Sequence, residues 1–266
     1  MHNLPWITVG GIYSNAPPPD FTFETLKRAD QAAGRGVAPA EDGETPEGAL
    51  VGARVGEALT GVDKTADPTK CSQAPSSTQM QGPHWEVEKG RRDGRISVAA
   101  NAEAQMPHGE LNLTDLVHRF QSKGLTPFDL VTLSGAHSVG FSHCKEFETR
   151  THSQDPTLNS TLRQNLIDGC QSQNVDPNVV QPLDQQTPFE FDNLYFKNLR
   201  HQMGLLTSDQ VLFSGGEDQC RKLVYRYAED ERVFFSAFAA AMHKLGRIGV
   251  KTGMEGEIRK DCTRFN

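Results

Sequence analysis

Asp129-Leu130-Val131-Thr132-Leu133-Ser134-Gly135-Ala136-His137-Ser138-Val139-Gly140-Phe141-Ser142-His143-Cys144 is the stretch on which the reading of this chain turns. Just before it, Thr126 carries the oxygen of an N-cap and Pro127 suits a first helical position. Asp129 stands three residues after the cap, and Gly140 can end the helix. Leu130, Leu133 and His137 recur at helical spacing, so the imidazole is expected to face where the leucines face and to be buried. A single histidine on an apolar face is more often a hydrogen-bonded core residue than a ligand. The other segments have to decide.

The chain has 266 residues, 36% of them hydrophobic, which is enough for one large globular domain or two lobes. A net charge of -7 argues against a nucleic-acid partner, and no apolar run is long enough to span a bilayer. The one basic cluster, Arg91, Arg92 and Arg95, is interrupted by Asp93 and Gly94 and reads as a turn. Five cysteines (Cys71, Cys144, Cys170, Cys220 and Cys262) contain no CxxC pair, which favours disulfides over a zinc site. Two sequons, Asn112-Leu113-Thr114 and Asn159-Ser160-Thr161, fit an oxidising, secreted setting, although Asn112 also suits a helix cap. Met1 to Pro19 lacks a basic start followed by a sustained apolar core, so no intact signal peptide is visible.

Composition divides the chain. Residues 1–81 hold 8 of the 15 prolines and 9 glycines, a pattern that punctuates rather than packs, and a loosely ordered, divergent N-terminal segment is expected there. Modest helices are conceivable near Phe21 to Ala33 and Glu47 to Leu59. From Gly82 helices can be placed with their ends. Asn112 can cap the stripe of Leu113, Leu116, Val117 and Phe120, with Gly124 closing it. Phe234, Phe235, Phe238, Met242 and Leu245 form a stronger stripe that stops before Gly246. Further helices are expected from Leu158 to Ile167 and from Asp192 to about Gln202. Alternating strand patterns are scarce, so the fold class is all-α, without internal repeats.

Four segments then carry a resemblance: Gly82-Pro83-His84-Trp85-Glu86-Val87 through Gly90-Arg91-Arg92-Asp93-Gly94-Arg95; the stretch through His137 to Cys144; Phe191-Asp192-Asn193-Leu194-Tyr195-Phe196 through Gly204-Leu205-Leu206-Thr207-Ser208-Asp209-Gln210; and Phe235 to Cys262. In order and spacing they resemble the secreted class III plant haem peroxidases, nearly continuously across residues 82–266, which are therefore expected to form a peroxidase-like proximal half.

The resemblance implies a set of roles. His137 matches the proximal ligand of haem b, and Asp209 the carboxylate that accepts its second N–H, giving the ring partial anionic character that favours the higher oxidation states of iron. Ser138, Asp184, Thr187 and Asp192, with a backbone carbonyl near Glu190, match a Ca²⁺ site of hard oxygen donors, with serine standing where the family is expected to have threonine. Cys144 and Cys170 match a family disulfide. Cys262 matches a second whose partner lies in the first half, where Cys71 is the one candidate, and Cys220 is an extra thiol. Pro107 falls at the substrate entrance. The implied reaction is oxidation of phenolic-type donors by hydrogen peroxide, removing peroxide under oxidative stress. The implied setting is an extracellular or vacuolar monomeric glycoprotein.

The family's distal histidine and arginine come from an Arg-x-x-x-His segment followed by Asp-Cys. Before Gly82 the chain has only His2, and Arg28, Arg35 and Arg54 lie outside that pattern, so no distal acid–base pair is assigned. Loss of a general acid or base typically costs ~10²–10⁴ in rate. Two other readings follow. One is a haem- and calcium-binding protein with impaired catalysis. The other takes Ala136-His137-Ser138-Val139-Gly140 as an approach to the G-x-S-x-G elbow, with Ser138 as nucleophile, Asp209 and His243 completing a hydrolase triad, and Leu130 to Leu133 as the preceding strand.

Overall fold

Thr126 does cap a helix. In the computed structural model, which describes residues 80–170, 179–261 and 264–266, its hydroxyl accepts from Asp129 N–H at 3.3 Å while the Asp129 carboxylate accepts from Thr126 N–H at 2.6 Å, and Pro127 opens the helix. The elements run α1 (Ala99–Glu103), α2 (Leu113–Gln121), α3 (Pro127–Ser134), a 3₁₀ turn (Gly135–Ser138), β1 (Phe141–His143), a second 3₁₀ turn (Cys144–Glu146), α4 (Glu148–His152), α5 (Ser160–Cys170), β2 (Val180–Pro182), α6 (Leu194–Arg200), α7 (Thr207–Ser214), α8 (Asp218–Glu229) and α9 (Glu231–Leu245). The described residues are mainly helical, in keeping with the all-α expectation. Their only sheet is the short antiparallel pair β1–β2, with Ser142 opposite Gln181. The helices expected near Phe21 and Glu47 lie outside the described residues.

Helix ends follow local chemistry. Asn112 Oδ1 accepts from Asp115 N–H at 3.0 Å to cap α2, and Gly124 then takes φ +77°, a left-handed position that closes a helix at no steric cost. Asp230 caps α9 by accepting from the amides of Arg232 and Val233, and Gly246 ends it. Inside, α8 packs on α6, α3, α7 and α9, and α9 lies along α3. Phe191, Phe196, Phe234 and Phe238 are all fully buried and meet with centroids 4.8–5.7 Å apart. Each such ring contributes roughly 1.5–3 kcal/mol on leaving water. A second apolar cluster of Phe147, Leu158, Leu162, Leu166, Leu183, Leu205 and Leu206 surrounds the disulfide Cys144–Cys170, the pairing implied by the resemblance. Cys220 is a buried free thiol; Cys71 and Cys262 lie outside the described residues.

Two sequence expectations change. Helical geometry does not run from Pro127 to Gly140: α3 ends at Ser134, and His137 sits on the tighter 3₁₀ turn before Val139 becomes extended and Gly140 takes φ +98°. The rings of Phe234 and Phe196 press on Gly135 at that junction. The arginine cluster is also more than a turn. Arg92 and Asp93 bridge to Lys251 and Glu257, Arg91 Nη1 donates to Gly246 O at 2.7 Å, and Arg92 Nε donates to Glu255 O at 2.8 Å. The 91–95 segment is thereby tied to the chain that follows α9.

Candidate functional site

His137 is 6% exposed, and its Nδ1 stands 2.6 Å from Asp209 Oδ1. Opposite a carboxylate, Nδ1 carries the proton and donates it, and in the neutral imidazole this leaves the lone pair on Nε2. Among the described residues no hydrogen bond reaches Nε2. Three features deliver this pair: the capped α3 leading into the 3₁₀ turn, the close packing at Gly135, and the first turn of α7, where Asp209 occupies the third position. Leu206 N–H donates to Asp209 Oδ2 at 3.2 Å, so the carboxylate caps its own helix with one oxygen and faces the histidine with the other. Gln210, next in line, holds Gly204 N–H and Leu199 O and anchors the approach to α7.

Beside the pair lies an oxygen-rich loop. Ser138 Oγ is 3.1 Å from Asp192 Oδ1, 3.2 Å from Glu190 O, and accepts from Asp192 N–H at 3.0 Å. Thr187 Oγ1 donates to Asp192 Oδ2 at 2.9 Å. Asp184, fully buried, accepts from the amides of Gln186 and Thr187 through Oδ1, while its Oδ2 meets the geometry of a hydrogen bond with no partner among the described residues. Burial raises the Asp184 carboxyl above its ordinary range against the opposing pull of the Gln186 and Thr187 amides, and the like charge of Asp192 adds to the rise. Two carboxylates, two hydroxyls and carbonyl oxygens, with one buried oxygen unanswered, are a donor set suited to Ca²⁺. No group of three or more His, Cys, Asp or Glu side chains placed to hold a metal occurs among the described residues, so a cation here would depend on the hydroxyl and carbonyl oxygens as well.

The remaining expected residues fall elsewhere. Pro107 is buried, in the loop between α1 and α2 that Ser208 N–H ties to α7 by donating to Gly109 O at 2.8 Å. The hydrolase reading fails on its local context: Leu130 to Leu133 lie in α3, so no strand precedes Ser138, and Asp209 is bonded to His137. Sequence reading missed Tyr195, whose hydroxyl donates to Asp209 Oδ1 at 2.9 Å. A signal was present. Phe191, Tyr195 and Leu199 recur every four residues, which puts the tyrosine on a buried face where its hydroxyl needs a partner.

The buried histidine–carboxylate pair with a free Nε2 has the donor arrangement of a proximal haem ligand. A family model described as Peroxidase matches residues 52–230, beginning inside the segment read as divergent. The chain belongs to the peroxidase family. It is similar to three Arabidopsis thaliana proteins: 44% identical to Peroxidase 16 over 191 residues, and 43% identical to both Peroxidase 55 and Peroxidase 51 over the same length. These alignments take in 70% of this chain and 58%, 57% and 57% of those proteins. The chain thus spans about three fifths of the length of the curated relatives it matches. Among its described residues no helix is long and apolar enough to cross a membrane.

Proposed function

We propose that this chain holds haem b through His137 and uses hydrogen peroxide to oxidise small phenolic-type donors. The observation that carries the reading is the 2.6 Å contact between His137 Nδ1 and Asp209 Oδ1 in a buried setting, with Nε2 free of protein partners among the described residues. Haem bound there supplies the redox chemistry of peroxide cleavage. The protein's own part is positional. Asp209 fixes the tautomer and orientation of His137, raises the electron density at Nε2, and is itself fixed by Leu206 N–H and Tyr195. Ca²⁺ held by Ser138, Asp184, Thr187 and Asp192 would brace the residue adjoining His137. Residues 82–266 form the peroxidase-like proximal half, and the divergent segment before it is narrowed to residues ahead of 52, where the family match starts. The family resemblance supports an extracellular or vacuolar monomer.

The test uses the full chain purified with haem and Ca²⁺. A histidine-ligated Soret spectrum that His137→Ala abolishes, together with peroxide-dependent oxidation of a phenol, is the expected result. Absence of a His137-dependent spectrum refutes the reading. The second reading, haem and calcium binding with impaired turnover, draws on a specific observation: residues 1–81 hold no Arg-x-x-x-His segment. It predicts full haem occupancy with turnover ~10²–10⁴-fold below that of a complete acid–base site.

A further inference from the structure

Tyr195 lies on α6 with only 2% of its surface exposed, and its phenol shares an acceptor with the histidine. The hydroxyl donates to Asp209 Oδ1 at 2.9 Å, the oxygen that also accepts from His137 Nδ1 at 2.6 Å. The two rings meet edge to face with centroids 6.2 Å apart. A carboxylate oxygen can only accept, so the phenol is the O–H donor of this contact. Two donors on one carboxylate oxygen compete for the same electron density. Each bond weakens the other.

We propose that Tyr195 is a positioning residue that tunes the His137–Asp209 pair: its hydrogen bond draws charge from Asp209 Oδ1 and limits how far the imidazole proton is pulled toward the carboxylate. The donor strength of Nε2 is then set by three residues. Tyr195 also holds the carboxylate in place on one oxygen while Leu206 N–H holds the other. This inference rests on the proposed function for its effect on haem, but the hydrogen-bond competition is a property of the folded chain itself.

The experiment compares wild type with Tyr195→Phe, which keeps the ring and removes only the hydroxyl. In the haem-free protein the His137 Nδ1 proton resonance is expected to move downfield in the variant, because Asp209 becomes the stronger acceptor. In the haem-loaded protein the preference for ferric over ferrous iron should increase about fivefold, the equivalent of one ordinary hydrogen bond. In an Asp209→Asn background the effect of Tyr195→Phe should vanish, which a packing change would not do. An unmoved resonance in folded Tyr195→Phe overturns the proposal, and so does an equal change in both backgrounds. If His137-dependent haem uptake fails, the functional reading falls while the haem-free resonance still decides the role of Tyr195. Should Tyr195→Phe not fold, a fluorinated tyrosine at position 195, a stronger donor, must move the resonance upfield; no upfield movement overturns the proposal.

Discussion

Gly135 lies so close to Phe234 that a Cβ on the glycine would stand 2.5 Å from Cε2 of that ring, and 2.8 Å from Cζ of Phe196. Both rings are fully buried, so neither can swing aside. Gly135→Ala is therefore expected to cost about 1–3 kcal/mol as overpacking, and to displace the turn that carries His137. Denaturant unfolding measures the first effect and haem titration the second. An unchanged midpoint would show that the junction is looser than its contacts indicate.

Asp209 answers three donors: the Nδ1 of His137, the hydroxyl of Tyr195 and the amide of Leu206. Asp209→Ala strands all three in a site only 2% exposed. The expected loss is at least ~2 kcal/mol of stability, since each buried donor left unmade costs about 1–3 kcal/mol. Thermal unfolding of the haem-free protein checks this without reference to activity.

The disulfide Cys144–Cys170 closes a sequence separation of 26 residues around the smaller apolar cluster. Loop-closure entropy for that length gives about 3.5 kcal/mol of stabilisation. Replacing both cysteines by serine should lower stability by roughly 2–4 kcal/mol. Unfolding under non-reducing conditions is the measurement, and a loss under 1 kcal/mol would contradict it.

Asp155 sits beneath the buried Arg150. Burial alone would raise its carboxyl, but Arg150 Nε at 2.8 Å and the Thr157 hydroxyl and amide outweigh burial and hold it below the ordinary range. A carboxyl depressed in the folded state contributes stability above its unfolded pKa of about 3.9, and loses that contribution as pH falls through the folded value. Wild-type stability should therefore drop below about pH 4, and Asp155→Asn should flatten part of that drop. Parallel profiles for the two proteins would exclude Asp155 as a contributor.

Ca²⁺ bound by Ser138, Asp184, Thr187 and Asp192 would stabilise the folded chain by mass action. At a hundredfold excess over its dissociation constant the gain is ~2.7 kcal/mol. The melting temperature is expected to rise with Ca²⁺, to fall on chelation, and to become insensitive to both in Asp184→Ala. A variant that still responds would place the cation elsewhere.

Local chemistry was legible wherever it acts over a few residues. The caps at Thr126 and Asn112, and the Phe234 to Leu245 stripe ending at Gly246, are written within single turns of chain, and the structure has helices there. The helix α8 is hidden in the sequence although Cys220, Leu223, Val224, Tyr227 and Ala228 follow helical spacing, because charged residues between them mask the stripe. The helix α7 follows Leu206, whose side chain cannot accept a hydrogen bond; its one local signal is the Asp209 carboxylate in the first turn, which accepts from the Leu206 amide.

By itself, the sequence determined the helical class, the caps of α2 and α3, the close of α9 and the family motifs, because capping, periodicity and motif spacing are properties of neighbouring residues. The 3₁₀ turn under His137 depends on aromatic rings from α6 and α9 closing on Gly135. The shared oxygen of Asp209 joins residues 137, 195 and 209, and the three-residue strands exist only through each other. Those features belong to the tertiary structure alone, because each comes from a contact between chain segments far apart in sequence, and no segment carries its partner's half of the interaction.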